Sequence, residues 1–459
     1  MKSYISSTLL IALFLFTSNV FAQEQRTISL QEAIEIALEN NYQLKQAQNN
    51  LGLADHNIRS EYADFLPSVS TNFSGSRRTG QQFISDRFSE GLDPFVDITS
   101  QSISGNLSAS IPVFNGFENI NSLRASEQSK ISDEESLQRS KEQVIFNTAS
   151  NYLQVLLDME LLDIRRENLE NSQQQLEQVQ AQVEVGSRPT VDLYNQEAQV
   201  ANEELLLTQQ ENSLKFSKIL LIRQLQIDPL AEYEFVVPEM EADVDAEMVQ
   251  SYSLSELIDQ ALLNRSDLKS SIADIRTLEY QLRIAKNNLL PSVSANAGLS
   301  TSYSDQYSVL GEEVSFGDQF FDQRINRSLG FSVSIPIFQN WNRMYNIEAS
   351  KVQLKNAELN LDNSRLQIIQ EVTQAYNDYS SYIKQLEASE KSRRASERAF
   401  ETQQERYNVG SSTLIELSQA QANYVEAQSN YTQAMYNLIF QEKLLDYYLG
   451  KLSGESIDF

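Results

Sequence analysis

The residues best equipped for chemistry are one histidine, His56, and a large excess of carboxylates. A histidine-based triad would have to use His56, and a multi-histidine metal site cannot be built from one imidazole. His56 stands in Leu53-Ala54-Asp55-His56-Asn57, and the reading is a solvated group on a helix surface. Adjacent acids such as Glu134-Glu135 and Glu203-Glu204 have the residue types of a glycosidase pair. With 63 Asp and Glu among 459 residues such pairs arise freely, and helix faces use them for solvation. Cysteine is absent. That excludes disulfides, thiolate metal sites, cysteine nucleophiles and a lipidated N-terminal cysteine. No glycine-rich phosphate loop with its lysine occurs. A net charge of −27 offers no basic surface for phosphate, so no nucleic acid partner is expected. No catalytic residue, cofactor or metal ligand is expected either.

One pair of acids stands out by position. Asp192 and Glu416 lie 224 residues apart, just past Gly186 and Gly410. They are either helix-start acids favoured by the macrodipole or carboxylates at a charged constriction. The same 224-residue offset relates four blocks. Ser29-Leu30 recurs as Ser253-Leu254, and Leu66-Pro67-Ser68-Val69-Ser70 as Leu290-Pro291-Ser292-Val293-Ser294. Ser110-Ile111-Pro112-Val113-Phe114 recurs as Ser334-Ile335-Pro336-Ile337-Phe338, and Val185-Gly186-Ser187 as Val409-Gly410-Ser411. The chain therefore reads as two copies of one unit. Residues 1–22 form a signal peptide, with an apolar run at Leu9–Phe16 and small residues up to Ala22. The first repeat is 23–227, the connector 228–251, the second repeat 252–451 and the tail 452–459.

Each repeat alternates two periods. After Pro67, Val69, Thr71, Phe73 and Gly75 interleave with Ser68, Ser70, Asn72 and Ser74. From Ser102 to Ile111, and again after Pro291 and before Pro336, the same period of two returns. Runs of about ten residues suit tilted membrane strands, and the strand pairs span about 67–112 and 291–336. Pro67, Pro112, Pro291 and Pro336 mark the strand–helix junctions. The stretches at 77–101 and 304–327 are expected loops. Their Phe83, Phe88, Tyr307 and Phe316 are either an interfacial girdle or loop packing. Trp341 stands where Phe117 does in the first repeat; an interface aromatic and simple packing both fit.

The rest is helical. A spacing of three and four runs through Tyr152, Val155, Met159, Leu162, Arg166, Leu169, Gln173 and Leu176. It returns in Tyr376, Tyr379, Ile383, Leu386, Glu390, Arg393, Glu397 and Phe400. That period is coiled-coil-like, with a polar seam suited to helices with neighbours on two sides. A helix from Val113 or Ile337 to Val185 or Val409 would be about 110 Å long. Gly186 and Gly410 end these helices in the left-handed conformation. Pro189 sits in the opening turn of the first return helix, and Ser411-Ser412-Thr413 opens the second. The hairpin tips are thus 186–190 and 410–413. Four strands cannot close a barrel and open edges are not tolerated in lipid, so oligomerisation must complete the sheet.

The whole mature chain resembles the TolC family of outer-membrane efflux proteins. The resemblance rests on the duplicated junction blocks and on Arg406-Tyr407-Asn408-Val409-Gly410-Ser411-Ser412-Thr413-Leu414-Ile415-Glu416-Leu417 with Gln419-Ala420. Ile28-Ser29-Leu30-Gln31-Glu32-Ala33-Ile34 and Tyr252-Ser253-Leu254-Ser255-Glu256-Leu257-Ile258 also fit. It implies a mixed α and β membrane protein, a homotrimer with a 12-stranded barrel in outer-membrane lipid and an α-helical barrel in the periplasm of a Gram-negative-type bacterium. It implies an exit duct for efflux or type I secretion, working with a periplasmic membrane-fusion adaptor and an RND- or ABC-type inner-membrane pump. Gly186, Ser187, Arg188, Gly410, Ser411 and Ser412 would meet the adaptor. Glu416 falls on the first of two aperture acids; the second falls on neutral Gln419, and the family's nearby arginine on Ser412. Two other classes stand beside this reading: a trimeric coiled-coil surface or periplasmic adhesin, and a secreted polysaccharide-cleaving enzyme. The first does not need two serine-faced strand pairs at a fixed spacing, and the second lacks a convergent site.

Overall fold

The fold is described from a computed structural model over residues 26–83, 85–236, 253–310 and 312–452. The expected signal peptide, residues 237–251 of the connector, the tail beyond Leu452 and the side chain of Phe88 lie outside the described residues. In chain order the first elements are β1 (Arg26–Ile28), α1 (Leu30–Asn40), α2 (Tyr42–Ala63), β2 (Ser68–Phe83) and α3 (Ser85–Ser89). Next come β3 (Phe95–Asn115), α4 (Glu118–Glu184), α5 (Thr190–Leu225), β4 (Tyr233–Phe235), α6 (Leu254–Asn264) and α7 (Ser266–Asn287). After them follow β5 (Ser292–Ser304), β6 (Ser308–Val309), β7 (Glu312–Glu313) and α8 (Phe316–Asp318), which runs into a π turn at Gln319–Gln323. The last are β8 (Asn326–Ser334), α9 (Asn342–Asn408) and α10 (Leu414–Tyr448).

The paired helices α1/α6, α2/α7 and α4/α9 start and stop 224 residues apart. Unusual backbone recurs at the same offset. Asn41 and Arg265 break the helical stretch before each strand pair, with φ −57°, ψ 118° and φ −59°, ψ 123°. The Asn41 carboxamide accepts from the N–H of Gln43 at 2.9 Å and of Leu44 at 3.1 Å, which restarts the helix as α2. The long helices begin five residues later than the expected Val113 and Ile337. The chain first turns through two left-handed residues, Gly116 (φ 67°) and Phe117 (φ 64°), or Asn340 (φ 45°) and Trp341 (φ 64°). Gly116 is needed twice over, because a Cβ there would also stand 2.7 Å from the carbonyl oxygen of Asn287.

The chain divides into two compact units. The unit of residues 47–136 and 267–364 holds a four-stranded antiparallel sheet in the order β2-β3-β5-β8. Its register puts residues of one type on one face. Ser70 faces Ser108, Ser74 faces Ser104 and Ser76 faces Ser102, each pair joined by a hydroxyl bond of 2.7–2.9 Å. On the other face Val69 meets Ala109, Thr71 meets Leu107, Leu107 meets Leu299 and Val293 meets Val333. Leu329, Phe331 and Val333 on β8 are exposed there. The β2–β3 ladder runs on past Ser76 to Phe83↔Phe95, so part of the expected loop is strand. The Phe83 and Phe95 rings, 5.5 Å apart edge to face, close that end. Pro112 lies inside β3, where pairing with β5 shifts between Pro112 and Phe114; a residue without an N–H fits where the ladder is interrupted. Pro67 and Pro291 directly precede β2 and β5, and Pro336 follows β8. Helices of this unit approach closely through small residues, with Ser270 bonded to Ser132 and Ser136 at 2.9 Å.

The unit of residues 1–46, 137–266 and 365–459 is helical around the parallel pair β1–β4. Fully buried Tyr152 donates toward the carbonyls of Ile28 (3.0 Å) and Val236 (2.7 Å) and meets the Phe235 ring edge-on. Along α9 Tyr379 and Leu386 are buried as expected, while Tyr376, Ile383, Glu390, Arg393, Glu397 and Phe400 of the same line are partly buried. Along α4 it departs after Leu162: Asn168, Ser172 and Val179 are buried, and Arg166 and Gln173 exposed. Hydrogen bonds set that line. Gln421 donates to Asn168 Oδ1 (2.8 Å) and Ser172 Oγ (3.3 Å), and Gln196 to the Ser172 carbonyl (3.0 Å). Burial pushes the Tyr152 hydroxyl up to about 12, against the Val236 bond. Its stabilising effect is therefore complete below an unfolded value near 10 and disappears as pH rises through about 12. Tyr152→Phe should cost about 1–2 kcal/mol at neutral pH and flatten the alkaline loss of helicity. Circular dichroism melts of wild type and variant at both pH values check this.

Candidate functional site

The residues singled out by position gather at the two turns that join α4 to α5 and α9 to α10. Each turn closes by the same backbone device. Gly186 (φ 72°) donates to the Val183 carbonyl at 3.0 Å and Ser187 to that of Gln182 at 2.9 Å. Gly410 (φ 74°) donates to Tyr407 at 3.0 Å and Ser411 to Arg406 at 2.8 Å. These bonds satisfy the last helical carbonyls and require the left-handed residue. Open space surrounds both glycines, so a side chain there would be strained by φ and not by a clash.

The starts of the return helices differ. Thr413 caps α10: its hydroxyl accepts from Glu416 N at 3.3 Å, and Glu416 Oε2 accepts from Thr413 N at 3.1 Å. Ser412 adds a hydroxyl bond to the same carboxylate at 2.8 Å, and Gln403 an amide bond at 3.3 Å. The backbone bond from Thr413 and the hydroxyl of Ser412 hold the Glu416 carboxyl below its ordinary value, with Arg406 nearby assisting. Glu416 is exposed and ionised. The cap is thus complete above the usual glutamate value and is lost only as pH falls through the depressed one.

At the first turn Pro189 occupies the cap position itself and not the opening turn, with no side-chain bond. Asp192 stands where Glu416 stands, third in its helix. Proline has no N–H to donate to it, and the Asp192 carboxylate lies 3.6 Å from the Arg188 guanidinium. That guanidinium also covers the Tyr407 ring, 4.1 Å from its centre. Tyr407 is buried with Val179, Leu414 and Leu417, against Val183, Leu193 and Phe400. Both turns therefore share one small core. Burial raises the Tyr407 hydroxyl, Arg188 opposing and Asp192 adding, and its oxygen has no partner. Gln419 bonds to Asn423 at 2.9 Å and stays clear of Glu416's contacts.

The structure brings Arg188, Asp192 and Tyr407 together, and Ser412 with Glu416. Residue typing alone did not single out Tyr407. The available signal was the heptad through Arg393 and Phe400, which extends to 407. His56 is exposed on α2, Glu134 pairs with Lys130, and Glu203 is buried beside Gln199. No nucleophile–base couple forms among them. Among the described residues no acidic or histidine cluster could hold a metal ion, and no helix is long and apolar enough to cross a membrane.

A sheet with an apolar face, two open edges and long helical hairpins defines a subunit of a strand-walled membrane channel. The chain belongs to the outer membrane efflux protein family, which its residues 33–225 and 257–451 match. It is 20% identical over 432 residues to the outer membrane efflux protein BepC of Brucella suis biovar 1, spanning 94% of this chain and 87% of that one. It is 21% identical over 377 residues to the outer membrane protein TolC of Escherichia coli K12, covering 81% and 74%. The CmeC outer membrane channel of Campylobacter jejuni has the same fold, with a TM-score of 0.75 at 19% identity over 94% of this chain and 87% of that one. The protein is an outer-membrane exit duct of the efflux and secretion type, extending into the periplasm of a Gram-negative bacterium, and not an enzyme.

The two helix starts should respond differently to cap removal. Thr413→Ala should destabilise the first turn of α10 by about 1 kcal/mol. Pro189→Ala has no cap bond to lose and should leave α5 nearly unchanged. Hydrogen exchange at the amides of residues 414–417 and 190–193 reads both.

Proposed function

We propose that three copies of the chain close a 12-stranded barrel, and that the helical hairpins form its periplasmic duct, docked at their tips to a membrane-fusion adaptor and an inner-membrane pump of the RND or ABC type. The observation carrying this reading is the sheet itself: one continuous apolar face, one serine face, and unpaired edges on β2 and β8. Each unsatisfied backbone group costs several kcal/mol in lipid. Pairing β8 of one copy with β2 of the next removes every edge, and three copies of four strands exceed the roughly eight needed to close. Lipid then meets the apolar face and water the serine face. A coiled-coil adhesin leaves the two-faced sheet without a role.

In this reading Gly186, Ser187, Arg188, Gly410, Ser411 and Ser412 form the adaptor-facing tip, where small residues permit close approach. Glu416 supplies three symmetry-related carboxylates to the periplasmic aperture. Asp192 adds little, because Arg188 beside it compensates its charge. Like charges converging on a narrow opening attract cations and give cation selectivity.

Cross-linking in native membranes should stop at three subunits; a limit of one or two excludes the barrel. In planar bilayers, a trivalent cation on the periplasmic side should block wild-type conductance. Glu416→Ala should relieve that block and lower cation preference. Unchanged behaviour in Glu416→Ala and in its double variant with Asp192→Ala would leave both acids as helix-start groups only. Gly410→Val should strain the turn by about 1–2 kcal/mol and reduce export while trimer yield in the membrane holds.

A further inference from the structure

The segment between β7 and β8 does not simply bridge two strands. Ser315 caps α8, accepting from the Asp318 N–H at 3.2 Å, and the chain then passes through the π turn at Gln319–Gln323. Gln319 is buried at 1% exposure with three bonds. Its amide nitrogen donates to the carbonyls of Ser304 (3.0 Å) and Val314 (2.8 Å), and its amide oxygen accepts from the Ser304 N–H (3.0 Å). One side chain thus takes both backbone groups of the last β5 residue, as a paired strand would. β8 pairs with β5 only up to Ser300, so Gln319 holds β5 where its strand partner has ended. The Thr301 hydroxyl also donates to the Phe320 carbonyl.

This fixes the segment on a particular face. A Cβ on Gly105 would meet Phe73 at 2.8 Å and Phe320 at 3.1 Å, and Phe73 directly opposes Gly105 across the ladder. Phe320 therefore lies on the apolar face, continuous with Val69, Phe73 and Leu107. Phe316 stacks on Phe320 at 5.2 Å and meets Tyr303 at 5.2 Å, and Phe321 meets Phe320 at 5.2 Å. The cluster has a dry side and a bare side. Phe320 is 8% exposed, Phe316 41% and Phe321 68%.

We propose that this aromatic cluster is a built-in interfacial anchor: Phe316 and Phe321 insert into the headgroup–acyl boundary of the membrane, and Gln319 holds them against the barrel wall. The occupant is lipid because the bare rings continue the sheet's apolar face. They also sit over β3 and β5, the central strands, whereas another copy would pair at β2 and β8. Aromatic rings favour this boundary, where an apolar body and polar surroundings coexist. The inference rests on the reading that the apolar face meets lipid, and the experiment separates the two.

The chain has no cysteine, so single cysteines can be labelled uniquely. An environment-sensitive fluorophore is placed at Phe321→Cys, Leu329→Cys and Leu310→Cys in the full chain, reconstituted in vesicles with brominated acyl chains. Leu329 reports the apolar face, and fully exposed Leu310 the loop. Emission at position 321 should be blue-shifted and quenched to an extent approaching that at 329, while 310 stays unquenched. Adding Gln319→Ala should bring quenching at 321 down to the level at 310 without changing 329, with trimer yield checked on unheated gels. Quenching at 329 but not at 321 overturns the anchor alone. No quenching at 329 overturns the lipid-facing sheet beneath it. Full quenching at 321 after Gln319→Ala overturns the holding role of Gln319.

Discussion

The constraint on which the structure depends is that a strand edge cannot be left open in hydrocarbon. In the proposed barrel water would be unavailable to the edge N–H and C=O groups of β2 and β8, and each left unpaired would carry a penalty of several kcal/mol. Every other feature of the sheet follows from meeting it with four strands per chain. The register must be fixed, because a slip of one residue would move a strand's serines onto the apolar face and its valines onto the serine face. The serine pairs across β2 and β3 and the Val293–Val333 pair in the other ladder set that register from both faces. Where β5 outruns β8, the side chain of Gln319 supplies the missing pairing. The same requirement is thus met by backbone, by side chain and, in the proposed trimer, by assembly between copies.

Duplication supplied two copies of each solution and let them diverge where the backbone allowed. The left-handed turn before each long helix uses Gly116 in one repeat and Asn340 in the other. Glycine is compulsory only in the first, where the Asn287 carbonyl comes close; asparagine tolerates positive φ elsewhere. The helix ends at Gln226 and Gly450 show the same pattern, both left-handed, with Arg265 packed close to Gly450. At the tips the divergence becomes chemical. A threonine cap binds its glutamate, whereas a proline cap releases its aspartate to Arg188. One residue's ability to donate a backbone N–H decides whether the acid three places later is held by the cap, as Glu416 is by Thr413, or turns to a neighbouring cation, as Asp192 does to Arg188.

Much of this was legible in the residues. Offsets of 224, period-two runs and turn glycines are local signals, and they located the strands, the hairpins and the two tip acids. What stayed hidden depends on contacts distant in sequence. The buried line of α4 passes through Asn168 and Ser172 because Gln421 and Gln196 reach them from other helices, and no hydrophobic pattern marks a seam built from hydrogen bonds. The extension of β2 to Phe83 runs through Arg77, Arg78 and two glutamines, where alternation in polarity has ended and only cross-strand pairing remains. The stacking of the tip residue Arg188 on Tyr407 joins positions more than 200 residues apart, which no local pattern marks. Gln319 looked like loop, since its role is to replace a strand.

The helical unit is held together by apolar and polar contacts side by side. Around Tyr152 the interior is apolar, with Ile28, Ile34, Leu156, Leu221, Leu225 and Leu445 nearly inaccessible. Toward the tips buried amides and hydroxyls stand beside the apolar cluster of Val179, Leu414 and Leu417, and buried atoms without a partner occur there, at Gln175 Nε2, Gln182 Oε1 and the Tyr407 hydroxyl, as well as at Thr148 Oγ1 and Gln260 Oε1. An unsatisfied buried polar atom costs roughly 1–3 kcal/mol, and exposing it to water recovers that cost. Separating apolar helices gains nothing comparable. Each such atom is a point where admitting water costs less than it does among the apolar side chains around Tyr152.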